Sequence, residues 1–308
     1  MAKKKQHQTV RRREMKRKSA ILVAAFLFFV GCNGDFSSSG NSNNNGEASA
    51  ESLGNDTIDG GTALVLGGGG AWGAAHIGVI EVLLENEIHF DFITGTSAGA
   101  IAGAFLSDGY SPSELREEFT QIKLLDLARP SLQGIGFFRI DPVVEYLSER
   151  LNTDRLEHLQ IPVVVTATDI ETGELVYYDQ GPTGLLLAAS MALPVIFDPA
   201  EYDGRFLADG GIINNLPIDA AKAAGADRII AVNVAGSFSD TGLPEGRVEY
   251  ANRVYNIMRQ AMYSTDGADV YIEPDLSGIA GIDFEAYDEM IKLGREAALA
   301  VLEELKEL

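Results

Sequence analysis

The sequence predicts an α/β protein in which a mostly parallel central sheet lies between two layers of helices, a three-layer α/β/α sandwich. Short apolar runs of strand length alternate with longer segments of helical periodicity along residues 61–308. This alternation is typical of parallel sheets that are covered on both faces. No second low-complexity linker or internal repeat interrupts this stretch, so we expect it to form a single domain.

The elements can be placed in chain order from short apolar runs and from helix signals. The predicted strands lie at 63–66, 90–94, 163–168, 175–178, 228–234 and 270–272. Asp141 and Pro142 predict a helix start, because a capping residue followed by proline at the first helical position favours one. An amphipathic pattern over 285–308 predicts a closing helix.

Residues 1–31 are predicted to be a lipoprotein signal peptide. Nine Lys or Arg residues within 1–18 precede eleven consecutive apolar residues at 20–30, the order found in export signals. Eleven helical residues span about 16 Å, half of a hydrocarbon core of ~30 Å, so this segment is too short for a permanent transmembrane helix. The only cysteine, Cys32, ends the tetrapeptide FVGC, which resembles a bacterial lipobox. The alternative is an ordinary signal peptide followed by an incidental cysteine.

We expect lipidation of Cys32 and hence a lipoprotein anchored to a membrane of the bacterial cell envelope, because a diacylated cysteine supplies the two chains that stable anchoring needs. Residues 32–60 are rich in Asn, Ser and Gly and are predicted to be a flexible tether. Cleavage before Cys32 leaves 15 basic and 44 acidic residues, a formal charge of −29. This acidity argues against nucleic-acid binding and against attraction to anionic lipid.

A glycine loop, GGGGAWG at 67–73, joins the first predicted strand to a helix. Backbone N–H groups in such a loop can hold an anion, either a bound phosphate or an oxygen that becomes negative during a reaction. The loop also fits the G-x-G-x-x-G pattern of dinucleotide-binding proteins, with Asp91 at about the distance of a ribose-binding acid. However, Asp91 stands at the beginning of the second predicted strand rather than at its end, which disfavours a nucleotide-dependent oxidoreductase. A tight turn without chemistry is the remaining alternative for the loop.

A second glycine motif follows the second predicted strand and precedes a helix of small residues: Gly95-Thr96-Ser97-Ala98-Gly99. In this position a Gly-x-Ser-x-Gly sequence is typical of a nucleophile elbow, a sharp turn that projects the serine hydroxyl. We therefore predict that Ser97 is a nucleophile. The alternative is a packing turn.

The base that activates Ser97 is not predicted to be a histidine. In α/β-hydrolases the histidine follows the acid late in the chain, whereas here only His158 follows Ser97, and none lies in the last third. We expect His158 to be a surface or capping residue. Asp209 is the better candidate, because Phe206-Leu207-Ala208 leads into it and Gly210-Gly211 follows, which leaves a carboxylate unshielded at a strand end.

Residues 62–306 together resemble the patatin-like phospholipases, specifically the compact bacterial members of that family. The resemblance rests on the glycine loop, the elbow and the Asp-Gly-Gly triplet, and on further motifs in the same order: AHIGV at 75–79, TD at 168–169, SMALP at 190–194, GAD at 225–227 and ADV at 268–270. It implies that Ser97 and Asp209 act as a catalytic dyad without histidine.

The resemblance also implies an oxyanion hole made of the backbone amides of Gly68, Gly69, Gly70 and Ala71. Trp72 departs from the family, which usually has Arg or Lys at this position, so any cationic contribution from residue 72 would be absent.

The implied function is a serine esterase or phospholipase A-type hydrolase that acts on lipid or phospholipid esters without a cofactor or metal ion. Two alternatives remain open from the sequence: a nucleotide-dependent oxidoreductase, and a lipid-binding lipoprotein without catalytic activity.

Overall fold

The computed structural model describes residues 58, 60–121, 127–235, 243, 247–261, 264–281 and 284–308. The predicted signal peptide, Cys32 and almost all of the predicted tether lie outside the described residues. The sheet, its two cores and the candidate site all belong to one compact unit, residues 46–243 and 253–308.

The described residues form one sheet of eight strands. In chain order the strands are β1 Thr62–Leu66, β2 Phe92–Thr96, β3 Val163–Asp169, β4 Glu174–Tyr178, β5 Ala200–Tyr202, β6 Arg205–Asp209, β7 Arg228–Val232 and β8 Val270–Ile272. The helices are α1 Ala74–Glu85, α2 Ala98–Ser107, α3 Pro112–Gln121, α4 Asp141–Arg150, α5 Thr183–Ser190, α6 Ile218–Ala223, α7 Arg247–Ala261, α8 Tyr287–Ala300 and α9 Leu302–Lys306.

Five strands form a parallel block in the order β3-β2-β1-β7-β8. The remaining strands are antiparallel additions around β3: β4 and β6 both pair with β3, and β5 pairs with β6. Parallel β1 is buried along nearly its whole length, as expected for a central strand that is covered on both faces. The predicted class, a mostly parallel sheet between helices, is confirmed.

Alternate residues of β1 face two separate hydrophobic cores. Leu64 and Leu66 belong to the larger core, to which α1, α2, α5 and α8 contribute. Ala63 and Val65 belong to the smaller core on the other face, which is covered by α6. This alternation is the period-two pattern of a strand between two helical layers.

Helix α8 fixes α1, the helix that follows the glycine loop, by close backbone contact. A Cβ added at Gly78 would lie 1.9 Å from the Ile291 carbonyl oxygen, and one at Gly294 would lie 2.0 Å from the Ala75 carbonyl oxygen. Only glycine permits this approach. The predicted closing helix over 285–308 is two helices, because the chain leaves helical geometry at Val301.

Other predicted boundaries differ by small amounts. Strand β2 begins and ends two residues later than predicted, and the helix expected near residue 141 has Ile140 as its N-cap without a side-chain cap bond. The β5–β6 pair is a tight hairpin whose turn residues Asp203 and Gly204 have φ angles of 50° and 72°. Within the described part of the chain, no helix has both the length and the hydrophobicity to span a bilayer.

Candidate active site

Ser97 lies in a strained turn between β2 and α2. Its φ and ψ angles are 53° and −120°, a conformation that L-residues rarely adopt and that occurs often at functional sites. The flanking glycines make the turn possible. A Cβ at Gly95 would lie 2.4 Å from the Ala100 Cα atom, and one at Gly99 would lie 2.1 Å from the Leu66 carbonyl oxygen. The Gly-x-Ser-x-Gly sequence therefore forms the predicted elbow.

A hydrogen bond from the neighbouring helix holds the backbone of this turn. The Ser97 N–H donates to the Ser190 Oγ atom at 2.8 Å, and Ser190 is fully buried at the end of α5. The serine of the SMALP motif therefore supports the elbow.

The sheet register brings Asp209 next to Ser97. Strand β2 ends with Thr96 opposite Thr166 of β3, and Ala167, the next residue of β3, pairs with Asp209 of antiparallel β6. Ser97, which follows β2, and Asp209, which ends β6, therefore lie beside the same point of β3. The Ser97 side chain lies close enough to the Asp209 carboxylate to lower its pKa.

The Asp209 carboxylate is buried, with 2% of the residue exposed. Its Oδ1 atom accepts the Gly211 N–H at 2.8 Å, so the glycines after the aspartate allow a tight turn back onto its own side chain. Burial raises the pKa of Asp209 to about 6, whereas the hydrogen bonds from Gly211 and Ser97 and the charge of Arg259 oppose this rise. A carboxyl group with such a pKa can exchange a proton near neutral pH.

The glycine loop runs beside the serine, since a Cβ at Gly68 would lie 3.3 Å from the Ser97 Cβ atom. Two of the four predicted oxyanion-hole amides are already used. The Gly68 N–H donates to the Asn215 carbonyl at 2.9 Å, and the Ala71 N–H donates to the Gly281 carbonyl at 3.0 Å.

The prediction for Gly68 and Ala71 is therefore corrected: tertiary contacts occupy these two amides. The N–H groups of Gly69 and Gly70 make no hydrogen bond within the described part of the chain. Asn215 forms two hydrogen bonds with Gly68, because its carbonyl accepts the Gly68 N–H and its Nδ2 atom donates to the Gly68 carbonyl at 2.8 Å. Of the four amides predicted to hold an oxyanion, those of Gly69 and Gly70 therefore keep N–H groups that no described residue accepts.

None of the described histidines contacts Ser97 or Asp209. His76 is fully buried, bonds the Gly67 carbonyl through Nε2 at 2.8 Å, and has its pKa lowered to about 4 by burial. It is therefore neutral at pH 7 and supports the glycine loop. His89 and His158 are exposed, in agreement with the surface position predicted for His158. His7 lies outside the described residues.

Asp91 lies at the wrong end of the sheet for nucleotide binding. Its Oδ2 atom accepts the Thr62 N–H at 2.7 Å, at the first residue of β1, whereas the glycine loop follows the last residue. The five residues of β1 separate the two ends by about 13 Å at ~3.3 Å per residue. This placement argues against the oxidoreductase alternative.

An apolar cavity opens beside Ser97. Its volume is about 70 Å³, and Gly70, Ser97 and Ala98 line one part of it. Most of the other lining side chains are apolar or aromatic: Ile101, Phe119, Leu127, Val143, Tyr146, Leu147, Met191, Phe284 and Tyr287. The part of the chain that the structure describes contains no cluster of His, Cys, Asp and Glu side chains suited to a metal ion.

Helix α7 brings two further residues to the site that the sequence analysis did not identify. Tyr255 and Arg259 are four residues apart and therefore lie on one face of the helix. The Tyr255 hydroxyl is 3.7 Å from the position of a Cβ on Gly211, and the charge of Arg259 acts on Asp209. No motif accompanies these residues in the sequence, so only the fold reveals their position.

Comparison with known proteins supports the resemblance seen in the motifs. The family model "Patatin-like phospholipase" matches residues 64–222. An uncharacterised NTE family protein of Mycobacterium tuberculosis is 36% identical over 197 residues, which cover 62% of this chain and 55% of that protein. The rat patatin-like phospholipase domain-containing protein 7 is 37% identical over 197 residues, or 59% of this chain and 14% of that protein.

Among solved structures, VipD from Legionella pneumophila has a similar fold. The TM-score is 0.53 with 17% sequence identity, and the match covers 79% of this chain and 67% of that chain. The matched part of the present chain thus corresponds to about half of the mycobacterial relative and to a small part of the rat protein.

Proposed function

This chain belongs to the patatin-like phospholipase family, and we propose on that basis that it is a serine acyl hydrolase that cleaves the ester bonds of lipids, with phospholipase A-type specificity. One observation carries the proposal. The side chain of Ser97, in a strained elbow, lies beside the buried carboxylate of Asp209 and lowers its pKa. Beside this pair lie two unbonded amides and an apolar cavity.

The first half of the reaction forms an acyl-enzyme. The Ser97 Oγ atom attacks the carbonyl carbon of the ester while its proton passes to the Asp209 carboxylate. The carbonyl oxygen becomes negative and accepts hydrogen bonds from the Gly69 and Gly70 amides. When the C–O bond of the ester breaks, the departing alcohol takes the proton from Asp209.

Water completes the cycle. Asp209, ionised again, accepts a proton from a water molecule that attacks the acyl carbon, and the second oxyanion forms at the same amides. Breaking the bond to Ser97 returns the proton to its Oγ atom and releases a carboxylic acid. The two steps need no cofactor and no metal ion.

The burial of Asp209 makes it a better base than an exposed aspartate. Its pKa of about 6 is closer to neutral pH than that of an exposed aspartate. A general base works best when its pKa is near the working pH. The Ser97 side chain lies beside this carboxylate, so the hydroxyl proton has only a short distance to travel to the base. These two features support an aspartate in the role that histidine has in other serine hydrolases.

The apolar cavity supports an acyl chain as the group bound beside Ser97. Ile101, Met191 and the aromatic rings of Phe119 and Phe284 offer no charge to a substrate. An aliphatic chain gains free energy from leaving water there, about 0.8 kcal/mol for each buried methylene. Fatty-acyl esters fit this lining better than short polar esters do.

Hydrolysis of nitrophenyl esters and of a phospholipid panel by wild type and Ser97→Ala tests the proposal. We expect the substitution to remove activity by a factor on the order of 10³ to 10⁶, while the circular dichroism spectrum stays unchanged. A folded variant with more than about a tenth of the wild-type rate would show that Ser97 is not the nucleophile. A wild-type protein that binds lipid but hydrolyses none would support the non-catalytic alternative.

We also propose that Cys32 is diacylated and that the lipid, with residues 32–60 as a tether, holds the enzyme at a membrane. The basic and apolar leader before the FVGC sequence supports this. Cys32→Ala is expected to move the protein from the membrane fraction to the soluble fraction. Intact-mass analysis of the wild type should show an N-terminal lipidated Cys32, and an unmodified terminus at another residue would remove the anchor.

A further inference from the structure

Helix α7 places a buried cation at the candidate site. Arg259 is 8% exposed, and arginine is almost never buried this far without partners that hold its charge. Its Nη2 atom donates to the Asn256 Oδ1 atom at 3.2 Å. Its guanidinium carbon also lies 5.5 Å from the Tyr255 ring centroid and 5.7 Å from the Trp72 ring centroid. Both distances are within the range of a cation–π interaction.

The Trp72 ring connects this cation to the glycine loop. Trp72 belongs to the 3₁₀ turn Gly70–Gly73, and its N–H donates to the Gly69 carbonyl at 3.2 Å. Its indole N–H donates to the Ile279 carbonyl at 2.8 Å, and its ring lies 3.3 Å from the position of a Cβ on Gly281. Arg259 therefore stacks on a ring whose backbone continues into the two amides that are free to hold an oxyanion.

The same cation acts on the dyad. Among the described residues, the titratable or charged groups that act on Asp209 are the Ser97 hydroxyl, the Tyr255 hydroxyl and the Arg259 guanidinium. Burial raises the pKa of Tyr255 far above neutrality, so its hydroxyl is uncharged. Among these groups Arg259 alone carries a positive charge, and it lowers the pKa of Asp209 against the effect of burial.

We propose that Arg259 is a positioning residue for both halves of the site: its guanidinium holds Trp72, and with it the Gly69–Gly70 loop, and it balances the charge of the Asp209 carboxylate. Position 72 carries an aromatic side chain, and α7 supplies the cation that lies over it. The inference rests on the proposed Ser97–Asp209 dyad.

The charge balance has a consequence for the reaction. Asp209 must be ionised to accept the Ser97 proton, and a buried carboxylate without a nearby cation binds that proton more tightly. Removal of the Arg259 charge should therefore leave the base protonated, and inactive, up to a higher pH.

The test is the pH profile of kcat/KM for a nitrophenyl ester with wild type, Arg259→Met and Arg259→Lys. We expect the apparent pKa of the acid limb to rise by about one unit in Arg259→Met, with a loss of about fivefold at pH 6 that shrinks towards pH 9. Arg259→Lys keeps the charge and is expected to keep the acid limb close to that of wild type. Arg259→Gln, which is also neutral, should repeat the Met result if the Met variant does not fold.

Arg253→Met is the matched control, because it removes an arginine from the same helix whose charge is not among the causes that shift the pKa of Asp209. Its acid limb is expected to match that of wild type. A folded Arg259→Met or Arg259→Gln variant that loses activity equally at every pH would overturn the proposal, since a merely structural role predicts that pattern. Asp209→Asn distinguishes that outcome from a failure of the dyad itself. We expect the acid limb to be absent in Asp209→Asn, and if the limb persists in this variant, the proposed function fails.

Discussion

The two sides of Ser97 differ in character. On one side are polar groups from β6, the turn after it and α7: the Asp209 carboxylate, the Gly211 amide and the Arg259 guanidinium. On the other side is a cavity with mainly apolar walls, which begins at Gly70 and Ala98. The polar side contains groups that can move a proton and balance charge. The apolar side contains groups that can distinguish substrates by the length and shape of a chain.

This difference separates two kinds of effect that mutations should have. Changes on the polar side act on the transition state and should lower kcat for every ester. Changes on the apolar side act on the bound chain and should alter the ratio between substrates. We therefore expect a substitution on the polar side to lower every rate, and one on the apolar side to change the preference between substrates.

The largest effect is expected from the base on the polar side. Asp209→Asn should lower kcat by a factor on the order of 10² to 10⁴, the loss that is typical of a missing general base. The combined variant His76→Gln, His89→Gln and His158→Gln should change the rate only a few-fold, because none of these side chains contacts the dyad. Both proteins should give native circular dichroism spectra, and the reverse pattern of rates would exclude the dyad.

A second effect of Asp209→Asn concerns stability. The pKa of Asp209 rises from 3.8 to about 6 in the folded protein, so the folded state binds its proton more tightly than the unfolded state. Protonation of Asp209 therefore stabilises the folded state. This stabilisation is fully present below the pKa of Asp209 in the unfolded chain, 3.8, and is lost as the pH rises through about 6.

The shift corresponds to a destabilisation on the order of 3 kcal/mol at neutral pH. The side-chain amide introduced by Asp209→Asn carries no charge, so this variant should be more stable than wild type at pH 8, and the difference should disappear towards pH 4. Urea unfolding of both proteins across this pH range measures the effect. A variant that is less stable than wild type at pH 8 would contradict the burial of a charged carboxylate.

The smallest effect is expected from the apolar side. Ile101 lies one helical turn after Ser97 and lines the cavity, so Ile101→Phe should fill space that a chain needs. We expect kcat/KM for nitrophenyl dodecanoate to fall about tenfold relative to nitrophenyl acetate. Leu299→Phe, on an exposed face of α8, is the control. Equal losses for both esters would show that the cavity does not receive the acyl chain.

The sequence predicted those parts of the fold that depend on local patterns. The apolar runs placed β1, β3, β4 and β8 within one residue, and the glycines around Ser97 marked the elbow because close backbone approach permits no other residue there. The three-residue strand β5 was missed, since such a short run has no periodicity. The pairing of β2 and β6 with β3 depends on contacts between residues far apart in the chain. The sequence could therefore suggest Asp209 as the base but could not show that it lies beside Ser97.

The details of the site depended on contacts that no local pattern contains. The amides of Gly68 and Ala71 were expected to be free, but carbonyls of Asn215 and Gly281 accept them, and both acceptors lie far along the chain. Arg259 was missed for the same reason. A single arginine on an amphipathic helix is typical of a solvated surface, and only tertiary packing places it over Trp72.

The most direct test of the central claim is the pH dependence of labelling by a fluorophosphonate, with the modified residue mapped by mass spectrometry. We expect one label, on Ser97, with a rate that rises as the pH passes through about 6, the pKa of Asp209. In Asp209→Asn the label should still map to Ser97, but the rate should be lower and should lack this rise. A label on another residue, or a rise near pH 6 that persists in Asp209→Asn, would contradict a Ser97–Asp209 dyad.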